Sequence, residues 1–200
     1  LKSKPFSLLF NQKPETRNMK HMLIDLETLG LREDLPPGVM PEVVEVGVVI
    51  FDPDSGEVTE EFSFFPEPDN GQCSSATVCW WIDLIRAGHP AVWHARRQAK
   101  ATDTLKHVCM SIITAWNRND CQVVWGNDPE MDLSPIEVWM RNLDLRRPWD
   151  FFERQDLRTL RNSLRLKSPK HEGQHSAIAD AKAEAEFCSR MLQALKGVAA

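Results

Sequence analysis

The chain of 200 residues predicts an α/β domain with a mixed five-stranded sheet, three antiparallel strands then alternating helices and strands, flanked by helices. Three observations predict it. Three runs rich in apolar and β-branched residues follow one another between residues 22 and 65. A strongly amphipathic stretch then precedes a short apolar segment at 122–126. Finally, a long helical stripe closes the sequence.

The first strand is Met22-Leu23-Ile24-Asp25-Leu26-Glu27-Thr28, whose period of two sends Asp25 and Glu27 to one face. A Gly- and Pro-bearing loop at 30–41 leads to a second strand at 43–51, rich in valine. Asp52-Pro53-Asp54-Ser55-Gly56 is a turn by composition, and 57–65 returns as the third strand. Residues 77–87 suit a short helix carrying Trp80 and Trp81. Adjacent tryptophans cannot both face one helical stripe, which leaves one of them for a surface or groove. The following segment, 88–95, holds His89, Pro90, Trp93 and His94.

Residues 102–118 form the amphipathic helix, with Leu105, Val108, Cys109, Ile112, Ile113 and Trp116 on its apolar face. The buried strand at 122–126 should run parallel to the first. Residues 127–132 read as a loop into a helix ending near Leu143, and 149–152 as the last strand. Asp156 is placed to cap the helix that follows. The final helix, 176–196, presents Ile178, Ala181, Ala185, Cys188, Leu192 and Leu195 as its buried stripe. Residues 1–20 lack any sustained period and read as a tail or upstream remnant, with the domain spanning 21–197.

Composition narrows the setting. The chain is 42% hydrophobic with a formal net charge of −5, which suits a single core. Its five cysteines are scattered and odd in number, so neither a disulfide framework nor a zinc site is indicated, and a reducing cytoplasm is expected. No apolar run approaches the roughly 20 residues of a membrane helix, so no membrane partner is expected. Charge is unevenly spread. From Asp25 to Asp69 thirteen acids face one base, whereas from Arg141 to Lys170 nine bases face four acids. That basic segment suits either a solvated face or a phosphate-binding surface.

Two carboxylates side by side at the end of a core strand repel each other and resist desolvation, unless a cation sits between them. Oxygen-only ligands favour Mg²⁺ or Mn²⁺ over zinc. A solvated edge strand would show the same Asp-x-Glu pattern, so later residues decide. Asp132, Asp180 and, five residues before it, His175 all fall at chain reversals beside the sheet.

The ordered set Asp25-x-Glu27, Asp132 and His175-x-x-x-x-Asp180 resembles the three motifs of the DEDDh, or DnaQ-like, 3′-5′ exonucleases of the ribonuclease H-like superfamily. Leu26, Thr28 and Gly30 also resemble the first motif, Trp125-Gly126-Asn127 leads into the second, and Ser176 to Ala181 completes the third. Thr77-Val78-Cys79-Trp80-Trp81 and Asp156-Leu157-Arg158-Thr159-Leu160 resemble the ribonuclease AS-like and the phage and exodeoxyribonuclease VIII-like members. The second motif departs from pattern. Here Asp128-Pro129-Glu130-Met131 precedes Asp132, with Met where an aromatic is usual, and Asp128 is a lesser candidate ligand.

The resemblance implies two-metal phosphodiester hydrolysis, with Asp25, Glu27, Asp132 and Asp180 holding two Mg²⁺ or Mn²⁺ ions about 4 Å apart. It implies His175 as the base, since an imidazole with an ordinary pKa of about 6.5 is largely neutral at working pH. Thr28, Leu29, Trp80, Trp81, Asn127, Arg158 and Thr159 are the candidate contacts to a single-stranded nucleic acid. DNA is slightly favoured here. RNA trimming and a catalytically silent binding module are the alternatives, and relatives often pair as homodimers.

Overall fold

The computed structural model describes residues 19–68, 71–89, 103–168 and 174–198. Most of the expected tail, together with Pro90, Trp93, His94 and Lys170, lies outside them. The sheet contains β1 (Lys20–Thr28), β2 (Val43–Phe51), β3 (Val58–Phe64), β4 (Cys121–Gly126) and β5 (Arg154–Asp156). Their spatial order is β3-β2-β1-β4-β5. β1, β2 and β3 form the expected antiparallel meander, while β4 lies parallel to β1 and β5 parallel to β4.

Among the described residues six helices cover the two faces: α1 (Ser75–Arg86), α2 (Leu105–Arg118), α3 (Pro129–Asp132), α4 (Ser134–Asn142), α5 (Leu157–Ser163) and α6 (Ala177–Val198). The pleat of β1 sorts them. Met22, Ile24 and Leu26 point into a core shared with α2 and α4, where Val108, Ile112, Ile136 and Met140 are buried. Leu23 points the other way, with Val49, Leu157, Ala181 and Met191, into the core under α5 and α6. Asp25 and Glu27 continue that second face beyond Leu23, so the apolar floor turns acidic at the carboxyl end of the strand.

The seat of α6 follows from two residues of β2. Gly47 is the Cα partner of Asp25. A Cβ there would lie 2.3 Å from the carbonyl carbon of Ala177, so only glycine lets the first turn of α6 rest on the sheet. Glu45, two residues earlier, is buried and accepts from Ser176 Oγ at 3.1 Å and from the backbone amides of Ala177 and Ile178. A carboxylate thus caps the helix from a neighbouring strand, where the dipole favours negative charge.

Three expectations are corrected. Residues 149–152 are not a strand: Asp150 and Glu153 form a reciprocal capping box around a 3-10 turn at Phe151–Glu153. Trp149 is buried and donates to Glu137 at 2.8 Å, while Phe151 and Phe152 are 69% and 87% exposed. The true edge strand is the polar Arg-Gln-Asp that follows, which carries no hydrophobic signal. Within 127–132, α3 replaces the expected loop because Asp128 accepts from the Glu130 amide as N-cap and Pro129 fills the first turn. Leu195 is exposed, since α6 outruns the sheet near its end. Among the described residues no helix is long and apolar enough to cross a membrane.

Candidate active site

Asp25, Glu27 and Asp180 each bring a carboxylate oxygen within 4.8 Å of the others. β1 supplies two of them and the first turn of α6 the third, so the Gly47 contact that seats α6 also sets this separation. Asp132 closes the group from the end of α3, not from the start of the longer helix as the sequence suggests. It is 5% exposed, and its Oδ2 accepts the Asp128 amide at 2.8 Å. Gly126 makes room for it: a Cβ there would lie 3.0 Å from Asp132 Cβ.

The electrostatics are those of several carboxylates brought together with little water between them. Burial, then Asp132, Glu184, Glu27 and Asp180, push Asp25 well above the usual carboxylate range. Burial, then Asp180 and Glu45, raise Glu27 to about 9. Burial raises Asp132 to about 7 despite the amide it accepts. Like charges converging in a poorly hydrated place favour protons or cations.

His175 occupies the turn before α6 at φ +67°, an uncommon backbone for a side chain of this shape. Its amide donates to Asp180 Oδ2 at 2.8 Å, which ties the turn to the acidic group. The imidazole lies edge-on to Trp80, ring centres 4.8 Å apart, and 5.4 Å from the ring of His89. The tryptophans divide as their adjacency requires. Trp81 is 8% exposed and donates to the Thr28 carbonyl at 2.9 Å, whereas Trp80 is 43% exposed.

A cavity of about 480 Å³ opens over Asp25, Glu27 and Asp132, lined also by Thr28, Trp80, Trp81, Asn127, Asp128 and Arg158, while His175 and Asp180 stand outside its lining. Leu29 and Thr159 lie outside that lining. Leu29 is engaged through its backbone with Glu42 and Ser74, and Thr159 turns back to Asp156, its own helix cap, at 2.6 Å. Asp128 is ion-paired to Arg158 at 3.2 Å, so its charge is directed to the rim. Much of the basic segment is used likewise: Arg154 pairs with Glu130 and Glu137, and Arg147 with Glu137.

The model of the family described as the 3′-5′ exoribonuclease Rv2179c-like domain matches residues 20–192. The chain belongs to this family. The Rv2179c-like chain is therefore a 3′-5′ exonuclease of DEDDh type, and its fold agrees. No curated protein sequence matches it. Among solved structures, the nuclease domain of 3′hExo, a DEDDh family member bound to rAMP, has a TM-score of 0.56 at 18% identity, covering 90% of this chain and 94% of that one. A 3′-exonuclease described in 3′-end recognition of histone mRNA stem-loop gives 0.54 at 17%, covering 88% and 82%. The zinc-bound E. coli ExoI–ssDNA complex gives 0.57 at 14%, covering 90% of this chain and 43% of that one.

Sequence reasoning missed two acids beside this site. Glu184 lies four residues beyond Asp180, hence on the same face of α6. Burial, Asp132 and Asp180 raise it to about 8, against the pull of Arg161 and Arg158. Its Oε2 is buried without a hydrogen-bond partner. The spacing Asp180-x-x-x-Glu184 was the available signal. Glu45 was also missed, though its alternation with Gly47 on β2 marks the same face as Asp25.

Proposed function

We propose that this chain is a divalent-metal-dependent 3′-5′ exoribonuclease that shortens single-stranded RNA from its 3′ end, releasing nucleoside monophosphates. The observation that carries the reading is the convergence of Asp25, Glu27 and Asp180 within 4.8 Å, with the buried Asp132 facing them. The family description favours RNA over the DNA that the sequence alone slightly preferred. The rAMP bound to 3′hExo, a structural relative, is in keeping with that choice. The resemblance of Thr77–Trp81 and Asp156–Leu160 supports a relation to the ribonuclease AS-like or the phage and exodeoxyribonuclease VIII-like members, with 21–197 as the exonuclease domain.

The donor set fits two hard cations. It is all oxygen, with Asp132 buried and Asp25, Glu27 and Asp180 partly so, and the unpartnered Glu184 Oε2 adds uncompensated negative potential beside it. Asp25, Glu27, Asp132 and Asp180 would hold Mg²⁺ or Mn²⁺, which when bound supply water activation and charge neutralisation on the phosphate and leaving oxygens. The protein does the rest. His175 takes the proton of the attacking water at an imidazole nitrogen, held in place by the Asp180-bonded turn and the edge of Trp80. Trp80 offers its exposed face to a base, and Asn127 and Arg158 bound the opposite wall.

The test is direct. Labelled at the 5′ end, single-stranded RNA and DNA are incubated with Mg²⁺, Mn²⁺ or a chelator. Stepwise shortening from the 3′ end of RNA, only with metal and faster than DNA, supports the reading. Equal or faster loss of DNA refutes the RNA assignment, and shortening in chelator refutes the metal.

A further inference from the structure

Beside the acidic cavity lies a second and larger one, of about 770 Å³, between the 30–41 loop and α3. The two share Leu31, Asp128, Met131 and Arg158 as a common wall, so together they form one groove divided by a low ridge. On the loop side of the second cavity Leu35, Pro36, Pro37 and Val39 form an apolar strip, suited to the faces of bases and riboses, beside the charged Arg32 and Glu33.

Both guanidiniums along the groove are engaged, yet weakly. Arg32 pairs with Glu130 at 2.8 Å, and the two side chains are 63% and 52% exposed. Arg158 pairs with Asp128 at 3.2 Å at 48% and 33% exposure. Exposed pairs of this kind contribute little to stability, and a phosphate diester offers an arginine a charged, forked partner of comparable strength.

We infer that the second cavity receives the nucleotides 5′ of the terminal one. The strand would cross the Leu31–Met131 ridge, and Arg32 would exchange Glu130 for a backbone phosphate. This rests on the exoribonuclease reading for the direction of the strand, but not for the groove itself. It gives Asp128 and Glu130 a purpose: they keep the arginines oriented while no strand is bound, and bias the groove against loose anions.

Binding separates the two. Anisotropy is measured with 5′-labelled phosphorothioate RNAs of two and six nucleotides sharing one 3′ end, with the full chain in Mg²⁺. The six-mer should bind at least ten-fold more tightly than the two-mer, and the gap should shrink to three-fold or less in Arg32→Ala and in Pro37→Glu. Two-mer binding should be unchanged. Both positions are on the surface, and a matching melting temperature establishes that the variants fold. A gap that persists in both variants, or one lacking in the parent, overturns the proposal. If the gap collapses as expected while ordinary RNA is shortened by no preparation, the groove stands and the exoribonuclease reading falls.

Discussion

Metal-free protein should lose stability as pH rises from 6.5 to 9, and metal should restore it. Glu27 is raised from 4.5 to about 9, so the fold keeps a proton that the unfolded chain has released. Its contribution is fully present below about 4.5 and is lost as pH climbs through 9. Asp132, raised to about 7, and Glu184, raised to about 8, act in the same direction. One retained proton gives a slope of roughly 1 kcal/mol per pH unit. For a domain of this size that is about 3 °C in melting temperature per unit. The window starts at 6.5 because His21 opposes the trend below it. Burial lowers His21 to about 4, and its Nδ1 must stay unprotonated to accept from Trp125 at 3.0 Å, so stability falls as pH drops from 6.5 through 4. Cations must displace the retained protons, so the stabilisation by 5 mM Mg²⁺ or Mn²⁺ should grow from near nothing at pH 6.5 to about 5 °C at pH 8.5. Glu27→Gln should melt at or above the parent without metal, yet gain little from it. Scanning fluorimetry across pH measures all of this. A metal-free melting point flat from 6.5 to 9, with an equal metal shift throughout, would refute the cluster as a cation site.

His175→Ala should reduce kcat by at least about 100-fold, as expected for loss of a general base, while anisotropy shows RNA affinity unchanged. Trp80→Ala should raise KM by about ten-fold with little change in kcat, since stacking of one base is worth roughly 1–3 kcal/mol; an unaltered KM removes Trp80 from the substrate path. Glu184→Gln should weaken Mn²⁺ affinity, read by titration calorimetry, several-fold; unchanged affinity would restrict Glu184 to packing. Gly47→Ala forces a Cβ to 2.3 Å from Ala177 and should cost on the order of 3 kcal/mol in denaturant melts, with loss of activity exceeding loss of fold at low temperature.

What the sequence displayed was periodicity and charge out of place. β1 and β2 were visible because their alternation is unbroken, and Asp25 and Glu27 because they interrupt an apolar face. α2 and α6 announced themselves through stripes at 3.6-residue spacing. β5 was hidden because a three-residue polar edge strand is held by ladder hydrogen bonds alone, while the aromatic pair beside it, Phe151 and Phe152, imitated a strand and proved exposed. Asp132 could be named but not correctly placed, since the Asp128 cap and Pro129 create an extra helical turn that no hydrophobic pattern signals. Glu184 escaped notice because a glutamate on a helix is ordinarily solvated. Only the packing of α6 over β1 shows that this one is not.

The seating of α6 on Gly47 has a consequence for synthesis. The cluster joins Asp25 and Glu27 to an acid roughly 150 residues later in the chain, and neither of the earlier two is a complete ligand set without it. A polypeptide still growing on the ribosome therefore carries Asp25 and Glu27 long before it carries Asp180. Hydrolysis waits until α6 has been made and has docked over Gly47, so the order of synthesis withholds the full acid set from an unfinished domain.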